Sequence, residues 1–321
     1  MSPRLELALQ NDLSLSLPLS VICPVPGHDL SVLPQGAQVV QPFKPFHDHF
    51  AAQGFDTVPE TDGPCQDAIV FLPRAKALAR AMIHLASSRA RGVVVIDGAK
   101  TDGVDSILKD VRKRTSVEGP LSKAHGKIFW FQADTQTFAD WAAPKTQMVD
   151  GYHTAPGVFS ADGIDPASAM LLNALPAKLG PHVADLGAGW GYLTAEILER
   201  DTVKSVHLVE ADNLALNCAR INASDPKARF YWADAVTWTA PEPIDTVVMN
   251  PPFHTSRSAD PTLGQGFIIA AARNLTRNGT LWMVANRHLP YETTLNEQLT
   301  QVNEVAGDNR FKVFQATRPR R

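Results

Sequence analysis

The sequence predicts an α/β fold built twice, as two doubly wound units in tandem, and three observations lead to it. Short apolar runs of strand length alternate with stretches of helical periodicity. One run, His182-Val183-Ala184-Asp185-Leu186, leads into Gly187-Ala188-Gly189-Trp190-Gly191 and then a helical stretch from Tyr192 to about Arg200. A strand, a glycine turn and a helix begin such a unit. Lastly, an early segment repeats a late one: Asp67-Ala68-Ile69-Val70-Phe71-Leu72-Pro73 aligns without a gap on Asp245-Thr246-Val247-Val248-Met249-Asn250-Pro251.

In the first copy, the strand from Asp67 precedes a stretch with Leu78, Met82 and Leu85 at helical spacing, then the apolar strand Val93-Val94-Val95-Ile96-Asp97-Gly98. Residues 1–145 are expected to form this unit. Leu72 stands where the second copy has Asn250, and no G-x-G-x-G occurs before residue 187. The unit should therefore bind no cofactor and serve binding or structural support. Arg74, Lys76, Arg80, Arg89 and Arg91 lie between Asp67 and Asp97 with no intervening acid, and Lys109, Arg112, Lys113, Arg114, Lys123 and Lys127 follow. Such clusters can hold phosphates; a solvated helix face, which accounts for most charge runs, is the alternative. Ala142-Ala143-Pro144-Lys145 and Thr154-Ala155-Pro156-Gly157 punctuate the next stretch, which places the boundary to a 146–321 unit there.

In the second half, ligand-type positions fall at three successive strand ends: the glycine turn after Leu186, Glu210 and Asp234. Glu210 ends Ser205-Val206-His207-Leu208-Val209, about where an acid meets ribose hydroxyls in this architecture. Asp234 follows the run Ala228 to Trp232, where a carboxylate could accept from an adenine amine. A dinucleotide site wants G-x-G-x-x-G with a pyrophosphate on the helix N-terminus. Here the glycines follow Asp185, which would repel a pyrophosphate and favour an ammonium. The implied ligand is an adenosine with a cationic tail, S-adenosylmethionine rather than NAD. A further strand, Asp245 to Met249, ends in Asn250-Pro251-Pro252-Phe253. Two prolines cannot donate to a ladder, so the sheet stops and the carbonyls of Asn250 and Pro251 are left free beside an amide and a ring. That set suits a flat substrate bearing an exocyclic NH2 group.

Composition restricts the classes. An apolar share of 44% supports real cores, and a net charge of −3 argues against a generic nucleic-acid coat without excluding RNA. The three cysteines, Cys23, Cys65 and Cys218, have neither metal nor disulfide spacing, which implies a reduced cytoplasmic compartment and no metal. Neither a signal peptide nor a membrane span is expected.

Together, Asp185-Leu186-Gly187-Ala188-Gly189-Trp190-Gly191, Glu210, Asp234 and Asn250-Pro251-Pro252-Phe253 resemble the motif series of class I S-adenosylmethionine-dependent methyltransferases. More narrowly, the chain from about Pro156 resembles the small-subunit (16S) ribosomal RNA guanine-N2 methyltransferases. Gly157-Val158-Phe159-Ser160, Asp162-Gly163, Asn250 to His254, Val284-Ala285-Asn286, Leu289-Pro290-Tyr291 and Arg310-Phe311-Lys312-Val313 carry that likeness. After His254, Thr255-Ser256-Arg257-Ser258 departs from the acidic or glycine residue of many relatives.

The resemblance implies two Rossmann-like methyltransferase domains, the N-terminal one degenerate. It implies S-adenosylmethionine held by Phe159, Asp185, Gly187, Ala188, Gly189, Glu210, Ala211, Asp234, Ala235 and Asn250. Catalysis would fall to Asn250, Pro251 and Phe253, and substrate contact to Pro252, Phe253 and His254. The partner would be ribosomal RNA or the small ribosomal subunit, and the protein a cytoplasmic monomer. Two other readings stay open: an N-methyltransferase of another RNA base or a protein glutamine amide, and a non-catalytic RNA-binding protein.

Overall fold

The computed structural model describes residues 3–61, 63–144, 146–252 and 261–320. It divides into two compact units, Met1–Lys145 and Thr146–Arg321. In the first, α1 (Pro3–Leu9), β1 (Leu19–Ile22), β2 (Gln38–Val40), α2 (Lys44–Ala52) and β3 (Asp56–Val58) precede β4 (Asp67–Phe71). Then come α3 (Lys76–Arg89), β5 (Val93–Ala99), α4 (Val104–Arg112), β6 (Glu118–Lys123) and β7 (Gly126–Gln132). The sheet runs β3-β2-β1-β4-β5-β7-β6, with β7 antiparallel to both neighbours. Every residue of β4 is buried, as expected of a central parallel strand covered on both faces. Alternate residues feed two cores: Val70, Val94 and Phe129 on one face, Ile69, Val95 and Trp130 on the other. α4 buries the stripe Val104, Ile107, Leu108 and Val111.

The second unit opens with the hairpin β8 (Gln147–Val149) and β9 (Tyr152–Thr154), followed by α5 (Pro166–Ala174), β10 (His182–Leu186) and α6 (Tyr192–Leu198). β11 (Ser205–Glu210), α7 (Asn213–Asn222), β12 (Ala228–Trp232) and β13 (Ile244–Met249) come next. The chain ends with α8 (Pro261–Asn274), β14 (Leu275–Asn286), α9 (Tyr291–Gln298), β15 (Leu299–Gly307) and β16 (Phe311–Pro319). Its sheet runs β12-β11-β10-β13-β14-β16-β15, strand for strand the order of the first unit.

The repeat can therefore be read through strand register. Val70 pairs with Ile22, and its counterpart Val248 pairs with Asp185. Ile22 pairs in turn with Val40, and Asp185 with Leu208, which sets Pro42 opposite Glu210 in the comparison. The first unit thus has Ile22, Pro42 and Leu72 where the second has Asp185, Glu210 and Asn250. His28 stacks on Phe71 at 4.1 Å, and Leu72 packs so closely that a Cβ on Gly98 would lie 2.8 Å from its Cδ1. Burial and nearby Arg4 hold His28 neutral, its pKa down at about 4. The acid that opens each repeat is structural. Asp67 accepts from the main-chain N–H groups of Ser16 and Val93, both at 2.7 Å, and Asp245 from that of His182 at 3.1 Å.

Candidate active site

Strand order reverses between β10 and β13, and ligands of doubly wound sheets bind in the crevice outside the strand ends at such a point. On one side, the glycine turn leaves β10. Its Gly187 and Ala188 N–H groups donate to Val209 O at 2.8 and 3.2 Å. Gly191 caps α6 at φ 87°, and a Cβ there would lie 3.0 Å from that of Ala219, so only glycine fits. Gly189, at φ 56°, has no atom within 4 Å of where a Cβ would stand, so this face of the turn is open to a ligand.

Glu210 does more than end its strand. Its Oε2 accepts from Gly189 N and its Oε1 from Asp212 N, both at 2.7 Å, so it holds the glycine turn in place. Asp212 caps α7 through Leu214 N at 2.9 Å. Glu210 keeps some accessible surface, with its carboxylate oxygens turned to the glycine turn and the start of α7. Burial, with the charge of Asp212, pushes it up to about 7; Asp212, also by burial, rises to about 6.

Asp185 is fully buried. Its Oδ2 accepts from Thr194 Oγ1 at 2.7 Å, while Oδ1 has no partner among the described residues. Desolvation raises its pKa to about 7. An orphaned, buried carboxylate oxygen below an open glycine turn fits a cationic ligand group.

A pH dependence follows. In the unfolded chain Asp185 ionises near pH 4; in the folded, ligand-free protein it holds its proton to about pH 7. Its stabilising contribution is full below pH ~4 and is lost as pH rises through ~7, on the order of a few kcal/mol. Thermal unfolding across this window should show a decline that Asp185→Asn flattens. Equal slopes for the two proteins would assign the decline to other groups.

The other residues expected at the cofactor are placed as follows. Asp234, beyond β12, accepts from Val236 N at 2.9 Å through Oδ1. Ala235 is buried, and Ala211 O accepts from Trp232 Nε1 at 2.8 Å. Phe159 exposes 57% of its surface. Its carbonyl accepts from Trp190 Nε1 at 3.0 Å, tying this segment to the glycine turn.

On the other side of the crevice, Asn250 follows β13, with Pro251 buried and Pro252 exposed. Asn250 Nδ2 donates to Asp165 Oδ2 and to Ser168 Oγ, each at 2.9 Å. Phe253, His254 and Thr255 to Ser258 lie outside the described residues. Sequence reasoning missed Asp165 and Ser168. Asp165-Pro166 does carry a signal, an N-cap acid before proline at the first helical position, but it announces only a helix. Among the described residues no group of three or more His, Cys, Asp or Glu could hold a metal, and no helix is long and apolar enough to cross a membrane.

Residues 151–315 match the family model described as the methyltransferase small domain. A ribosomal RNA small subunit methyltransferase C of Alteromonas mediterranea is 29% identical over 263 residues, 78% of this chain and 73% of that protein. Its namesake from Hahella chejuensis is 28% identical over 273 residues, 80% of this chain and 79% of that one. Among solved structures, a T. thermophilus 16S rRNA N2 methyltransferase in complex with AdoMet and guanosine matches with a TM-score of 0.79. It is 24% identical, with 98% of this chain and 92% of that chain covered, a likeness of fold.

Proposed function

The chain belongs to the methyltransferase small domain family, and from that premise we propose that it methylates the exocyclic N2 amine of a guanine in small-subunit ribosomal RNA, with S-adenosylmethionine as donor. One observation carries the reading: at a single switch point, an open glycine turn over the orphaned Asp185 carboxylate faces the strand end Asn250-Pro251-Pro252. The names of the two curated relatives support the RNA, and that of the T. thermophilus structure the N2 position.

When bound, S-adenosylmethionine supplies a methyl group already activated on a sulfonium. Asp185 would serve its ammonium, Glu210 the ribose hydroxyls and Asp234 the adenine amine. Phe159, Gly187, Ala188, Gly189, Ala211 and Ala235 would line the remainder of its site. The protein's own task is then chiefly placement. Asn250 Oδ1 and the carbonyl of Pro251 accept the two N–H groups of the target amine and hold its lone pair toward the methyl. Pro252 and His254 would border the base, and Phe253 would stack on it. A protein glutamine amide would offer a similar NH2 group, but no observation favours it.

The first unit would bind no cofactor, because Ile22, Pro42 and Leu72 replace the three polar positions. It would hold RNA or give structural support. Much of its basic charge is spent internally: Lys76 and Arg80 pair with Asp110 at 2.9 and 2.7 Å, Lys127 with Asp105 at 2.6 Å, and Arg114 with Asp140 at 2.6 Å. Arg80 and Arg114 also flank the Trp141 ring. Lys109, Arg112 and Lys113 are exposed around the end of α4, with no ion pair among the described residues. Reversing these three to Glu should weaken RNA binding and flatten its salt dependence, by roughly 0.7–0.9 in log–log slope for each phosphate no longer neutralised. Unchanged binding in a salt titration would make them an ordinary solvated face. A cytoplasmic monomer completes the reading.

The test is calorimetry followed by transfer of labelled methyl to small-subunit particles, naked RNA and protein. One cofactor per chain and label in the RNA are expected. Two cofactors per chain, or label in protein alone, would contradict it.

A further inference from the structure

We infer that Asp165 and Ser168, at the start of α5, are positioning residues that fix the polarity of the Asn250 amide and so restrict the reacting group to a hydrogen donor. This rests on the proposed reading in which Asn250 faces the target amine. Asn250 Nδ2 lies 2.9 Å from both Asp165 Oδ2 and Ser168 Oγ. An ionised carboxylate offers only lone pairs, so the amide end facing Asp165 must be its NH2. The two N–H groups are both consumed there. The carbonyl end is left at the crevice and can only accept.

A group that meets Oδ1 must then bring a hydrogen. The N2 amine of guanine does so; O6, N3 and N7 of the same base are acceptors and would set lone pair against lone pair. The Asp165 charge also strengthens the contact. A carboxylate drawing on the amide N–H pushes electron density toward Oδ1, making it a better acceptor as the amine gains positive charge. Asp165 is itself held, since its Oδ2 caps α5 through Ser168 N at 2.8 Å, with Pro166 opening the helix.

Ser168→Ala removes one bond to Asn250 and leaves the main-chain cap intact. It should lower kcat roughly tenfold, the effect of one hydrogen bond, with KM for S-adenosylmethionine and Tm nearly unchanged. A second arm tests polarity. Asn250→Asp sets two carboxyls face to face, so they share a proton and activity falls as pH rises through their titration. Adding Asp165→Asn removes one of the two charges and lets an NH2 turn toward the new carboxylate, at the cost of the cap on Ser168 N; it should recover activity in part and remove the pH dependence. If Asn250→Ala is inactive but folded Ser168→Ala and Asp165→Ala turn over normally, the inference is overturned and the role of Asn250 stands. If Asn250→Ala itself turns over normally, the underlying reading fails. A double variant that recovers Tm but not activity would reduce Asp165 to a helix cap and overturn the inference.

Discussion

Asn250→Ala is expected to leave the second unit folded and cofactor affinity nearly intact, while kcat falls by about 10²–10³-fold, on the order of 3–4 kcal/mol for deleting one preorganised polar group. The expectation follows from position. Asn250 stands past the end of β13, across the switch point from the glycine turn, Asp185 and Glu210. The amine of guanine is a poor nucleophile because its lone pair is drawn into the ring, and accepting its hydrogens both aims and enriches that lone pair. The variant also loses the tie to Asp165 and Ser168, about 1–3 kcal/mol of stability for bonds that include a charged partner. Measuring methyl transfer beside thermal unfolding separates the two effects. A variant that loses Tm but keeps its turnover per folded molecule would make Asn250 a strand-end tie and nothing more.

Glu210→Ala should act on the cofactor instead. Buried hydrogen-bonding groups left without partners cost about 1–3 kcal/mol, which predicts a Kd for S-adenosylmethionine raised roughly 5- to 150-fold. Part of that loss comes from the protein, since Gly189 N and Asp212 N lose their shared acceptor and the glycine turn loosens. Glu210→Gln distinguishes the contributions. Its single carbonyl oxygen can keep one main-chain donor while its NH2 faces the other, so it should recover only part of the affinity. Calorimetry showing wild-type affinity in both variants would remove Glu210 from the cofactor site.

Both units' α/β architecture was legible from sequence, because central strands covered on two faces read as continuous apolar runs, as in Ala68 to Phe71 and Val247 to Met249. The repeat was visible in a single gapless segment, and its sheets share one strand order. Asp185, Glu210 and Asn250 stood out because each closes or interrupts an apolar strand with a polar group.

What escaped the sequence depends on side chains meeting across long separations. Nothing in the spacing of Asp165 and Asn250 says that they touch. Glu210 read as a ligand residue, and its hold on Gly189 emerges only once β11 lies beside β10. The basic residues of the first unit read as one cluster, yet the fold brings Asp110 of α4 to Lys76 and Arg80 of α3. His28 showed no motif, and only the fold brings it onto Phe71. Periodicity reports which face of an element is buried; it carries no information about such partners.

The most direct measurement is the identity of the methylated nucleoside. Small-subunit particles or RNA lacking the modification are incubated with the protein and labelled S-adenosylmethionine, digested to nucleosides and resolved by mass spectrometry. The proposed function predicts N2-methylguanosine as the labelled product, absent with Asn250→Ala. Label in an adenosine, label recovered only in protein glutamine, or no transfer by a protein that binds the cofactor would contradict it.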